Sequence, residues 1–372
     1  MLLILISGSC NSNLKRNEKK VYTGVDIKYA ERFEIQQKGG YKILIIKNPW
    51  QGAVNINQSY YLLKNGSSIP HGVDSANIIR TPVKSIVCMS TTYLSMISAL
   101  HAEETITGVS GTDFVYDQGL LQRIDNKQIA DVGYEDNLNK ELVITLSPDL
   151  VMVYGVGGES AGYLNKLKEL GIKVIFNADY LENNPLGKAE WIKVFGALYD
   201  KENEADSIFN SLSKEYNEIK LKVEKNITVR PLVLLGLPWK DTWFISPGNS
   251  FISRMIHDAG GDYLWKDTES EISMPYGIEN VFVKAIKADY WLNAGSANSR
   301  DEITIMDNRL NELTSFKNGN IFNKNKRTTK KGGNDYWESG NMNPQIILKD
   351  IASILHPDLF PGYTLFYYRK LE

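Results

Sequence analysis

The chain has 372 residues, of which 42% are hydrophobic and 23% are charged, so it can bury a sizeable core and is long enough for two domains. Its formal net charge of -2 at pH 7 leaves no overall basic surface that would hold a phosphate backbone. The composition indicates an ordinary globular protein and excludes nucleic acid as a partner.

The N-terminus has the features of a lipoprotein signal. Residues 1–6 are apolar and run into the small residues 7–9 just before Cys10, and the polar residues 11–20 would suit a tether. This arrangement resembles a lipobox, whose cysteine receives a lipid. We therefore expect Cys10 to be lipidated and to anchor the protein to a membrane. The alternative is a ragged apolar start, since the run is too short to span a bilayer.

Cysteine and histidine offer no recognisable metal site. If Cys10 is lipidated, only Cys88 remains, so no intramolecular disulfide can form. Cys88 lies within an apolar run, where a buried and inert thiol is expected. The four histidines show no ligand spacing. We expect no cofactor and no resident metal.

The first half of the chain predicts a β-meander followed by an α/β lobe. Residues 21–75 contain short β-forming runs, each followed by a turn signal. From residue 84, short apolar strands alternate with helical patterns, which is typical of a largely parallel sheet. The predicted elements are strands 84–89, 105–109, 129–132, 150–154 and 172–176 and helices 92–101, 139–146 and 159–170.

The second half predicts another α/β lobe behind a long helix. Apolar residues from Ala205 to Val223 recur at spacings of three and four, which predicts one helix of about 25 residues and roughly 37 Å. The predicted elements beyond it are strands 231–236, 289–293 and 321–323 and helices 249–259, 278–287 and 344–355. We divide the chain into a signal and tether (1–20), an N-terminal lobe (21–199), a linker helix (200–227) and a C-terminal lobe (228–372).

Four segments, in order and at the expected spacing, resemble the metal-chelate binding proteins of ABC importers, which take up ferric siderophores, vitamin B12 or haem. They are VKSIVCMSTTYLSMISALHAEETITGVSG, DVGYEDNLNKELVITLSPDLVMVYG, PGNSFISRMIHDAGGDYLW and NGNIFNKNKRTTKKGGNDYWESGNMNPQIILKDIASILHP. The resemblance implies an α/β fold of two Rossmann-like lobes joined by a single long helix, the class III periplasmic binding protein fold. It also implies a monomeric, lipid-anchored periplasmic lipoprotein that captures an iron-siderophore or related metal chelate and delivers it to the transmembrane subunits of a bacterial permease.

The candidate ligand-binding residues follow the predicted strands, because ligands of α/β sheets bind beyond the carboxyl ends of the strands. Several are aromatic, and although one aromatic after a strand is as often core as contact, their convergence favours a pocket for a large planar or amphipathic ligand. The candidates are Thr92, Tyr93, Thr112, Tyr134 and Tyr154 in the N-terminal lobe and Trp239, Lys240, Trp243, Asn293, Arg327, Tyr336 and Trp337 in the C-terminal lobe.

A run of basic residues between Lys324 and Lys331 allows two interpretations. For its lysines a solvated loop is the better one. For Arg327 we favour contact with an anionic chelate, because its planar guanidinium suits carboxylate or phenolate oxygens.

Other classes of function remain open. The glycine-rich segment 155–160 imitates a dinucleotide fingerprint, but its sixth position is Ser160 and its strand is not the first of the sheet, so we discount nucleotide binding. We expect a non-enzymatic protein. The alternatives are a cobalamin- or haem-binding protein of the same family, an enzyme on the same two-lobed fold and a surface adhesin.

Overall fold

The computed structural model describes residues 24–134, 137–155 and 167–372. Cys10, the polar tether, most of the predicted helix 159–170 and most of the glycine-rich segment therefore lie outside the described residues. No helix within the described ranges is long and apolar enough to cross a membrane.

The first sheet packs beside the N-terminal lobe. Its strands lie in the order β1-β2-β3-β4, antiparallel for the first three, as the predicted meander requires, whereas β4 runs parallel to β3. Phe33 of β1 packs edge-on against Trp191 at 4.9 Å between ring centroids, which joins this sheet to the lobe. The strands are β1 (Phe33–Lys38), β2 (Tyr41–Lys47), β3 (Asn57–Lys64) and β4 (Ile78–Thr81).

The N-terminal lobe is built on a five-stranded parallel sheet in the order β7-β6-β5-β8-β9. The strands β5, β8 and β9 are buried along their whole length, which explains their uninterrupted apolar sequences. The elements are β5 (Ile86–Cys88), α1 (Leu94–Ala99), β6 (Ile106–Val109), α2 (Gln118–Asp125), β7 (Ala130–Asp131), α3 (Lys140–Leu146), β8 (Leu150–Val153), β9 (Val174–Phe176), α4 (Pro185–Glu190) and α5 (Ile192–Tyr199).

A single helix, α6 (Glu202–Asn226), follows this lobe. Its predicted apolar stripe is buried at Ala205, Phe209, Leu212, Tyr216, Ile219 and Val223. The stripe packs on α5 and on the last helix of the chain, so α6 contacts both lobes.

The C-terminal lobe has a second five-stranded sheet, in the order β12-β10-β14-β15-β16, of which only β16 is antiparallel. A separate antiparallel pair, β11 and β13, is a feature that the sequence did not indicate. The elements are β10 (Leu232–Leu235), β11 (Thr242–Ile245), α7 (Phe251–Asp258), β12 (Asp262–Tyr263), β13 (Met274–Gly277), α8 (Ile278–Ala285), β14 (Tyr290–Leu292), α9 (Arg300–Met306), α10 (Thr314–Lys317), β15 (Ile321–Asn323), α11 (Asp335–Glu338), α12 (Pro344–Leu355) and β16 (Arg369–Lys370).

The predicted fold class, two α/β lobes joined by one long helix, is confirmed. The limits of the lobes along the chain stay a prediction. Since both sheets are mainly parallel, the carboxyl ends of their strands are the places to look for a ligand site.

Candidate ligand-binding cleft

Two neighbouring cavities lie at the carboxyl ends of the strands, and Trp337 lines both. The first, which we call the N-lobe cavity, has a volume of about 270 Å³ and lies mostly against residues that follow β5, β6 and β8. The second, the interlobe cavity, has a volume of about 420 Å³ and lies between α4 and the C-terminal lobe. The interlobe cavity is within the range of about 300–1,000 Å³ that is usual for small-molecule sites, and the N-lobe cavity is slightly smaller.

Aromatic side chains form much of the wall of the N-lobe cavity. Phe114 and Tyr134 meet edge-on at 6.4 Å and are 46% and 50% exposed, so both rings are open to a ligand. Asp131, at the end of β7, holds their loops in place by accepting hydrogen bonds from the backbone N–H groups of Thr112 (3.0 Å) and Gly133 (2.8 Å). These bonds help to lower the pKa of Asp131 against the opposing effect of its burial.

In the C-terminal lobe, the short helix α11 carries Tyr336 and Trp337 to the cleft. The side chain of Asn334 caps this helix by accepting a hydrogen bond from the N–H of Tyr336 at 3.0 Å. Tyr336 is buried and Trp337 is 51% exposed, and their rings meet edge-on at 5.1 Å. The helix therefore holds one buried aromatic ring, that of Tyr336, and one accessible ring, that of Trp337.

Two lysines from opposite lobes line the interlobe cavity. Lys188 belongs to α4, and Lys324 follows directly after β15. Burial lowers the pKa of Lys324 to about 7, and the charge of Lys188 contributes to this shift. Burial also lowers the pKa of Lys188, although nearby Asp179 and Glu182 oppose that shift. Both ammonium groups are thus poorly solvated.

A carboxylate links the two lobes beside the cavities. Glu338 of α11 accepts hydrogen bonds from the backbone N–H groups of Tyr116 (2.6 Å) and Asp117 (2.9 Å), which lie in the N-terminal lobe. Burial raises the pKa of Glu338 to about 7 in spite of these two donors. Lys331 pairs with Asp113 at 3.0 Å in the same region.

The structure places five of the twelve predicted binding residues on the cavity walls. Tyr134 and Tyr154 line the N-lobe cavity, Asn293 and Tyr336 line the interlobe cavity, and Trp337 lines both. Asn293 follows β14 with a left-handed φ of 56°, and its Oδ1 accepts a hydrogen bond from the Tyr368 hydroxyl at 2.8 Å. Contact of these residues with a ligand stays a prediction.

Two predicted residues lie in the hydrophobic core instead. Tyr93 is 1% exposed and packs against Phe195. Trp243 is also 1% exposed, because residues 242–245 form the strand β11, which the sequence did not predict, and its Nε1 donates to the carbonyl of Leu235 at 2.9 Å.

The remaining predicted residues line neither cavity. The side chains of Thr92 and Thr112 are engaged locally, with Ser90 at 2.9 Å and with Asp131 at 2.9 Å. Trp239 is 65% exposed, and the Lys240 ammonium lies 4.6 Å from the centre of its ring.

Arg327 has a structural environment that differs from the expected contact with an anionic chelate. Its Nε donates to Asp335 Oδ2 at 2.5 Å. Its guanidinium lies 4.2 Å from the ring centre of Phe366 and 5.2 Å from that of Tyr116. Arg327 therefore joins the two lobes and already has a carboxylate partner.

Several residues that line the cavities were not predicted from the sequence. Phe114, Lys188 and Phe251 line the cavities but follow no predicted strand directly. Lys324 does follow one, and its position after β15 was the available signal, yet its run of lysines favoured a solvated loop. The prediction of a solvated position is wrong for Lys324, which is half-buried. Lys326, Lys330 and Lys331 are exposed.

Within the ranges that the structure describes, no group of three or more His, Cys, Asp or Glu side chains could hold a metal ion. The polar groups of the cavities are mainly amides, hydroxyls, the two ammonium groups and the carboxylates of Glu182 and Glu271.

Known proteins resemble this chain over most of its length. A model of the periplasmic binding protein family matches residues 86–328, well over half of the chain. An uncharacterized lipoprotein of Methanocaldococcus jannaschii is 26% identical and aligns with 98% of this chain and 89% of its own length.

Solved structures share the fold at lower identity. A periplasmic haem-binding protein of Pseudomonas aeruginosa superposes with a TM-score of 0.59 at 17% identity, covering 78% of this chain and 98% of that one. The structure of an ABC-type Fe3+-hydroxamate transport system of Saccharomonospora viridis gives a TM-score of 0.54 at 18% identity, covering 74% and 94%. At these identities the likeness shows the fold alone.

Proposed function

The chain belongs to the periplasmic binding protein family, and from that we propose that it captures an iron-siderophore or a related metal chelate and delivers it to the permease of an ABC-type importer. The observation that carries the proposal is the cleft, where aromatic rings and a few polar groups from both lobes surround the two cavities at the carboxyl ends of the strands. Rigid aromatic walls suit a large, partly apolar ligand.

Capture without chemical change is the expected activity. The family is one of binding proteins, and the haem-binding protein of Pseudomonas aeruginosa shares the fold, which supports this expectation. Haem or cobalamin is the alternative ligand within the same family, and the haem-binding protein of similar fold is in keeping with that alternative. An enzyme would instead convert the ligand and release a product.

We also propose that the protein is a monomer, anchored on the periplasmic side of a membrane through a lipid on Cys10. The lipoprotein relative that aligns with 98% of the chain supports the anchor. An anchored binding protein would stay near the transmembrane subunits to which it delivers its ligand.

Native mass spectrometry of protein purified from its own host is the direct test of this function. We expect a bound chelate whose mass equals that of the free compound after release. A ligand that is recovered in altered form, with repeated turnover, would favour the enzyme alternative.

A pair of tryptophan substitutions tests whether the cleft is the site. Trp337 lines both cavities, whereas Trp239 is similarly exposed, has a lysine over its ring and lines neither. In a titration followed by tryptophan fluorescence, W337A should weaken chelate binding by about 2 kcal/mol, or roughly 30-fold, because it removes an aromatic wall. W239A is the matched control and should bind like the native chain. Equal binding by W337A and the native chain would place the site elsewhere.

A further inference from the structure

The interlobe cavity carries an ammonium group that lacks an acidic partner. No carboxylate oxygen lies within 4.0 Å of Lys324 Nζ in the described part of the chain, and the ammonium instead faces two rings, at 3.7 Å from the centre of Trp337 and 4.5 Å from that of Tyr336. Cations over aromatic faces are stabilised, but less well than by a hydrogen-bonded carboxylate. Lys324 is therefore free to bind an incoming anion.

Lys188 faces the same cavity from the other lobe. Its ammonium lies 4.9 Å from the ring centre of Phe251, also a cavity residue, and no ion pair joins it to any residue that the structure describes. The Lys188 charge reaches Lys324, since it lowers the pKa of that residue. Two like charges at one partly desolvated cavity repel each other, so an anion placed between them would relieve that repulsion.

Two nearby carboxylates are already engaged, and a third, that of Glu271, lines the cavity from an exposed position. Glu182 accepts the N–H groups of Glu31 and Arg32 and the Nε1–H of Trp191, at 2.9 to 3.1 Å. Asp179 is buried and accepts a hydrogen bond from Asn341 Nδ2 at 3.3 Å, and burial raises its pKa to about 6. These two acids partly offset Lys188 and leave Lys324 uncompensated.

We propose that Lys188 and Lys324 form a carboxylate-binding subsite, so that the chelate taken up by this protein carries at least one carboxylate beside an aromatic or apolar body. This inference rests on the proposed function. Each lobe supplies one ammonium group, so the ligand carboxylate would bridge the lobes. The rings of Phe251, Tyr336 and Trp337 would contact the rest of the ligand.

Equilibrium binding of two pairs of probes, of which the haemin pair is matched in shape, tests the subsite. Ferric citrate carries carboxylates, whereas ferrichrome is a neutral hydroxamate chelate. Haemin carries two propionates, whereas haemin dimethyl ester has the same ring without those charges. We expect the native chain to bind the carboxylate member of at least one pair at least tenfold more tightly than its neutral counterpart.

Substitutions then assign the preference to the two lysines. K324M and K188M should each weaken the carboxylate probe at least tenfold and leave the neutral probe within about twofold, and K324R should restore much of the loss. K240M is the control, because Lys240 also lies over a tryptophan ring but lines neither cavity. Thermal melting of each variant checks that it is folded, and K188M still tests the subsite if K324M does not fold.

The outcomes separate the two proposals. If the native chain binds a chelate but shows no tenfold preference for the carboxylate member of either pair, or if folded K324M and K188M keep the preference, the subsite is refuted while chelate capture is not. If the native chain binds none of the four probes, and protein from its own host contains no chelate, both the subsite and chelate capture are refuted.

Discussion

Binding of a carboxylate-bearing chelate should bring a proton onto Lys324. Burial lowers the pKa of Lys324 to about 7, so at pH 8 its amine holds only about 0.1 of a proton on average. An opposite charge within hydrogen-bonding distance typically raises such a pKa by 1 to 3, which would bring it to about 8–10. The complex should therefore take up between about 0.4 and 0.9 of a proton at this residue.

Calorimetric titration at pH 8 in two buffers of different ionisation enthalpy measures this uptake. The chelate can release or bind protons of its own, so the informative quantity is the difference between the native chain and K324M. Lys188, Glu182 and Glu271 also line the cavity, and the buried Asp179 interacts with the charge of Lys188; all four remain in both proteins. An equal proton count for native chain and K324M, with both binding the chelate, would refute the reasoning. The control K240M should take up the same number of protons on binding as the native chain.

Four further predictions concern other parts of the protein. The pKa of Glu338 is raised to about 7 in the folded protein, so its contribution to stability is complete below the ordinary value of 4.5 and is lost as the pH rises through about 7. The free energy of unfolding of E338Q, measured in urea, should therefore fall less steeply between pH 5 and pH 7 than that of the native chain. R327A should lower the free energy of unfolding by about 1.5–3 kcal/mol, through loss of a charge-assisted bond to Asp335, while chelate affinity stays near native; weaker binding with unchanged stability would contradict this assignment. C10A should abolish metabolic labelling with palmitate and release the protein from membranes, and persistent labelling would disprove lipidation at this residue. Small-angle scattering should show little change in the radius of gyration on ligand addition, since α6 and the contacts of Glu338 restrict the lobes; a large contraction would argue against a stiff linker.

The regular elements could be predicted because their signals are local. The stripe from Ala205 to Val223 repeats with the period of a helix, and α6 forms there with that stripe buried. The short apolar runs of β5, β8 and β9 are typical of buried parallel strands, and the chain order of strands and helices then favoured two α/β lobes.

The candidate site was only partly predictable for the same reason. Position after a strand identified Asn293 and, through the loop beyond β15, Tyr336 and Trp337. The same criterion also selected Trp243. Side chains alternate between the two faces of β11, and Trp243 points into the core, where its Nε1–H donates to a backbone carbonyl. The direction in which a side chain points depends on strand pairing, and no local sequence pattern predicted that β11 pairs with β13.

The set of elements, their order and the edge of the sheets where a ligand would bind could therefore be predicted from local patterns. The charges that meet at that edge could not, because they depend on how the lobes pack. Arg327 looked like the anion-binding group, but folding gives it Asp335 as a partner, whereas Lys324, three residues earlier, is left without one and brought to the same cavity as Lys188. The protonation and availability of a charge depend on burial and on neighbours that are distant in sequence, and these exist only once the lobes have packed together.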